Sequence, residues 1–164
     1  MACRGVFFAI TVDQGDAFFE AYGNDGRLME LVEAVEEAWD APNLAECDKA
    51  WDAMHRLLTD GQLAYGNGQY PFSHVVLGPR QLHQGDDYIV SLVAPNEVED
   101  VAKALGDLTK EWFEERYRSV VPADYALEYG EEDLEYTWAW FQSVRDLYRK
   151  AATDGRAILF TVDQ

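Results

Sequence analysis

The sequence predicts an α+β domain, with a small mixed or antiparallel sheet that includes both terminal strands and about five or six helices packed on it. Three observations carry this. Short apolar runs rich in Val, Phe and Ile lie close to both ends of the 164 residues. Between them, apolar residues recur mostly at helical spacing. Strand-like runs are few and do not alternate regularly with helices, which argues against a repeated βαβ array.

Residues 4–12 read as a strand buried on both faces, because the run is almost continuously apolar. Asp13 ends it and is placed to cap a short helix reaching Tyr22. Gly23-Asn24-Asp25-Gly26 is a turn. Leu28, Leu31, Val32, Val35 and Trp39 then mark a helix, which Pro42 breaks. Asn43 followed by Glu46 has the spacing of a capping box. A helix over 44–59 is therefore expected, with Leu44, Cys47, Trp51, Met54 and Leu58 as its stripe.

Residues 60–87 read as irregular, punctuated by Gly66-Asn67-Gly68, Pro71, Pro79 and Gly85, with order expected only at Val75-Val76-Leu77. So long a connection is uncommon and often functional. Residues 88–93 form a second apolar strand. Pro95 suits the first helical position, and Val98, Val101, Ala102 and Leu105 give that helix its stripe up to Gly106. Asp107 is placed to cap another, running to Ser119 with Trp112 and Phe113 inward. A loop around Pro122 is expected over 120–129. The longest helix covers 131–152, and its acidic start complements the helix dipole. Gly155 ends it, and residues 157–162 are the closing strand. Neither repeats nor linkers interrupt the pattern, so residues 1–164 read as one domain.

Charge narrows the function. Thirty-one acidic residues against 13 basic ones give a formal net charge of −18. Such a field repels nucleic-acid phosphates and anionic membranes. Neither is expected as a partner, whereas a protein with a basic surface is. No run reaches membrane-spanning length, and the first apolar run is too short for a secretory signal. Cys3 and Cys47 form no C-x-x-C pair and read as reduced, buried thiols. Together these place the chain in the cytoplasm.

The motifs that carry chemistry are sparse. Neither G-x-x-x-x-G-K nor G-x-G-x-x-G occurs, so no nucleotide cofactor is expected. Three histidines, at 55, 74 and 83, lack the spacing of a zinc site. On a helix over 44–59, Asp48, His55 and Thr59 fall within ~40° of one another beside Trp51. This cluster reads either as a polar pocket, with His55 as acid/base and Trp51 as a stacking wall, or as a clamp on the long loop's backbone. Ser73 and His74 are further candidate contacts. A nucleophilic triad of Ser73, His55 and Asp48 would lack the G-x-S-x-G elbow. No catalytic residue is assigned. The expectation is an acidic, non-enzymatic protein-binding module, and the alternative is a small-molecule site or weak enzyme at His55, between helix 44–59 and loop 60–87.

Three segments carry a resemblance. They are Asp48-Lys49-Ala50-Trp51-Asp52-Ala53-Met54-His55-Arg56-Leu57-Leu58-Thr59, then Pro71-Phe72-Ser73-His74-Val75-Val76-Leu77-Gly78, and the pairing of a Gly5-Val6-Phe7-Phe8-Ala9-Ile10 start with a long helix, Gly155 and a closing apolar strand. Together they resemble the YfbM-like family of small bacterial proteins, a family of unknown function, along nearly the whole chain. The resemblance implies a small bacterial α+β domain and carries no catalytic residues to transfer.

Overall fold

A computed structural model describes residues 3–120 and 123–164, with the backbone alone over 123–129. The sheet has four strands in the order β2-β1-β4-β3, and every neighbouring pair is antiparallel. They are β1 (Gly5–Ile10), β2 (Leu44–Asp48), β3 (Tyr88–Val93) and β4 (Ala157–Asp163). The two strands nearest the chain ends, β1 and β4, pair in the middle of the sheet, with Phe7 opposite Phe160. Each is apolar on both sides because helices cover both faces.

On one face lie α1 (Val12–Glu20) and α2 (Asp25–Ala38). Their Phe18, Leu28, Val32 and Val35 pack on Phe8, Ile10, Val90, Leu92 and Leu159. The other face carries α3 (Trp51–Leu58), α4 (Pro95–Gly106), α5 (Lys110–Val120) and α6 (Ala123–Asp154). Their Met54, Val101, Phe113, Phe141 and Tyr148 close over Phe7, Ile158 and Phe160.

Several expectations about elements are corrected. Residues 44–48 are strand, not helix. Ala45 and Cys47 are buried while Glu46 between them points out, the period of two that a strand requires. Leu44, Cys47 and Trp51 fit helical spacing only by coincidence. Asn43 makes no capping box; its side-chain amide binds Asp40 and its oxygen accepts from Lys150. A bulge in the β1–β2 pairing and a positive φ of 45° at Asp48 turn the chain into α3.

The caps of α1 and α5 are also reassigned. Thr11, not Asp13, caps α1, exchanging bonds with Gln14 in a full capping box. Thr109, not Asp107, accepts from the Trp112 amide at the start of α5. The end of α2 comes before Pro42, at Trp39, which adopts a left-handed φ of 41°. Finally, of the loop expected over 120–129, Val120 belongs to α5 and residues 123–129 are helical, while Pro122 lies outside the described residues; Gly130, at φ 63°, interrupts the α6 helix.

Candidate functional site

The residues singled out from sequence separate into three places. Asp48 ends β2, where its carboxylate accepts from the Tyr136 hydroxyl at 2.6 Å and pairs with Arg4 at 3.3 Å. Trp51 opens α3 and donates from Nε1 to the Cys3 carbonyl. Asp48 is parted from His55, since it ends β2 and is not on the helix that carries the imidazole.

His55 and Thr59 stay together at the end of α3. His55 Nε2 lies 2.9 Å from the Ala64 carbonyl and 2.8 Å from Asn67 Oδ1. Both partners are acceptors, so Nε2 carries the proton. Asn67 turns its amide to Thr59 Oγ1, Asp60 and the Gln62 carbonyl. Thr59 donates to the His55 carbonyl. The imidazole is 1% exposed, and burial pushes its pKa below the ordinary histidine value. With no solvent-reached face, His55 takes the geometry of a clamp that ties residues 60–67 to α3. Gly68 fits because a Cβ there would lie 2.7 Å from Thr59 Cβ.

Ser73 and His74 sit in a 3-10 turn, Phe72–His74. His74 Nε2 lies 2.8 Å from Glu97 Oε2, and Ser73 Oγ lies 3.1 Å from Nδ1. A proton on Nε2 satisfies Glu97 and leaves Nδ1 to accept from the Ser73 hydroxyl. The serine–imidazole–carboxylate order is that of a proton relay. The amides of Ser73, His74 and Val75 are all committed to Gln69, Pro71 and Phe72 carbonyls, so none of the three is free to stabilise an oxyanion. Glu97 does more than hold His74: its Oε1 accepts from the Ala94 amide at 3.0 Å, capping α4, and from Arg80 at 3.2 Å. The chain His74–Glu97–Arg80 braces the second half of the long loop against α4.

That brace aims Arg80 at a cleft of about 510 Å³ lined by Phe19, Tyr22, Gln81, Leu82 and Gln84. Adjacent aromatics on a helix point ~100° apart. Hence Phe18 is buried in the core while Phe19 leaves it and forms one wall. The Arg80 guanidinium lies 5.2 Å over the Phe19 ring. The opposite wall is fixed by Leu82, whose amide donates to the Val90 carbonyl at 3.0 Å, and by the bridge of Gln81 to Ser91. Reasoning from sequence placed a site in this loop but at its His55 end. It missed Arg80, Glu97, Phe19 and Tyr22, although the Phe18-Phe19 pair, which cannot be buried together on one helix face, was a usable signal. Among the described residues no three side chains gather as metal ligands, and no helix is long and apolar enough to cross a membrane.

A family model described as a domain of unknown function (DUF1877) matches residues 1–161. Among solved structures, the chain is similar to a protein of unknown function, YfbM from Escherichia coli. The two share 19% identity with a TM-score of 0.66 over 97% of this chain and 99% of that one. At that identity the likeness concerns the fold. No curated protein matches.

Proposed function

We propose a function for this chain, which belongs to the DUF1877 family of unknown function, from the way its charge is distributed: it is a non-enzymatic protein-binding module whose partner presents a basic surface. One observation carries this reading. Residues 12–40, which hold α1 and α2, contain nine carboxylates and a single base, Arg27, and Arg27 is paired with Glu30. Elsewhere most cations are already committed to partners within the chain. Of the chain's 13, at least eleven pair with a carboxylate or donate to a described carbonyl oxygen. The α1–α2 face is thus left with uncompensated negative charge, which steers a basic partner and repels an acidic one. Cys3 and Cys47 stand unpaired, which supports a reducing, cytoplasmic setting.

The test is capture from lysate of the source at about 0.05 M salt, followed by a wash at about 0.5 M. The expected result is a stoichiometric partner released by the wash. A variant carrying Asp16→Asn, Glu20→Gln, Glu33→Gln and Glu37→Gln should not capture it. A partner held at high salt by both proteins, or an empty bait, would overturn the reading.

A further inference from the structure

We infer that the Arg80 cleft is a binding site for a small monocarboxylate with an aromatic or apolar body. The inference does not depend on the protein-binding role. It rests on a local gap in the molecule's carboxylates. The chain carries 31 carboxylates, yet none lines this cleft, and its one charged wall is a guanidinium.

The guanidinium is positioned rather than free to sweep the surface. Glu97 holds its NH1 from behind, and Glu97 is itself only 14% exposed and fixed by the Ala94 amide and His74. Phe19 supports the face of the guanidinium. Nε and NH2 donate to none of the described residues, which leaves one edge of the fork for an acceptor. Planar, two-point recognition of a carboxylate is what that edge offers. Beside it, Tyr22 is 62% exposed and Phe19 36%, surfaces suited to a ring or short alkyl chain. The volume of about 510 Å³ is that of an ordinary small-ligand pocket.

The surrounding field sets the ligand's charge. At physiological salt, interactions fade over ~8 Å, so a single carboxylate on Arg80 sets that contact against only the nearest carboxylates, Glu97 behind the guanidinium and Asp25 at the Gln84 amide. A phosphate ester or dicarboxylate would carry further charge into the α1–α2 field and be disfavoured.

The probes are 4-phenylbutyrate and its uncharged analogue 4-phenylbutan-1-ol, titrated into the full chain by calorimetry and by amide chemical shifts. The acid should bind with a Kd of ~1 mM or tighter, about tenfold or more below the alcohol, with shifts centred on Tyr22 and Gln84. Arg80→Gln should erase the preference for the acid, since Glu97 keeps its amide and His74 bonds and the fold survives. Tyr22→Ala, at an exposed position, should weaken both probes by a similar factor. Equal binding of acid and alcohol to the wild type overturns the inference, as does a preference that persists in Arg80→Gln, shifts mapping to another surface, or no binding up to ~10 mM.

Discussion

The two faces of the sheet carry the same kind of element to different ends. On the α3–α6 side, aromatic rings close on one another: Phe113 lies 5.1 Å from Trp138 and 5.0 Å from Phe141, and Phe7 lies 4.6 Å from Phe160. Ion pairs such as Lys110–Glu135 and Arg118–Glu131 tie its helices together. The α1–α2 side is thinner. It supplies the exposed Val12, Phe19, Tyr22 and Trp39, four of the six exposed large apolar residues among those described, together with a run of nine carboxylates against one base. A layer that needs little packing to stay attached is free to present side chains, and both proposed binding surfaces involve it.

Four measurements break or sharpen that contrast. Removing the ring at the centre of the thick layer, Phe141→Ala, should cost about 3–5 kcal/mol in urea unfolding, whereas Leu28→Ala in the thin layer should cost about 2–3. Equal costs would erase the difference. Next is Gly5→Ala, at the seam where β1, β2 and α3 meet. A Cβ there would lie 2.8 Å from both Cys47 Sγ and Phe160 Cε2, so overpacking should cost about 1–3 kcal/mol.

The third concerns the His55 clamp. Its folded-state pKa lies below the unfolded value, because burial favours the neutral ring. The unfolded chain therefore binds the proton more readily. The stability from neutral His55 is full above the unfolded pKa of ~6.5 and is lost as pH falls from there through the folded value. The gap in melting temperature between wild type and His55→Gln should thus narrow from about pH 7.5 to about pH 5. A constant gap would mean that His55 does not titrate between the two states. The smallest effect belongs to charge. The wild type should melt higher at physiological than at very low salt, as self-repulsion is screened. Glu33→Gln with Glu37→Gln should reduce that salt dependence while changing stability by less than about 0.5 kcal/mol. A flat or falling curve for the wild type would contradict it.

The fold class was legible because its signals are local and repeated. Phe7, Phe8 and Ile10 announce a strand with no polar side, and the stripe from Leu134 to Tyr148 spans several turns of one helix. The β2 strand was not legible, since five residues are too few to separate a period of two from one of 3.6, and Asn43 with Glu46 imitated a helix start. What settles the matter is a tertiary fact, the free edge of β1. The site was half legible. Punctuation by glycine and proline drew attention to residues 60–87, and His55 and Thr59 do meet. But Arg80 reaches Glu97 and Phe19 across 17 and 61 positions of sequence, and no periodicity encodes such a meeting. Sequence also made His55 chemically conspicuous, and the fold used it to hold a loop.

The pairing of β1 with β4 sets a timetable for synthesis. Phe7 finds β2 after some forty residues but finds Phe160 only after about one hundred and fifty. Until β4 is made, β1 has only β2 to pair with, and its other edge has no partner. Closure waits for the last strand, so folding of this chain is dominated by a contact of long sequence separation, the kind that slows folding. Until then the apolar faces of β1 are open to wrong partners, and the acidic helices that follow it, α1 and α2, are the first part of the chain able to keep the nascent chains apart.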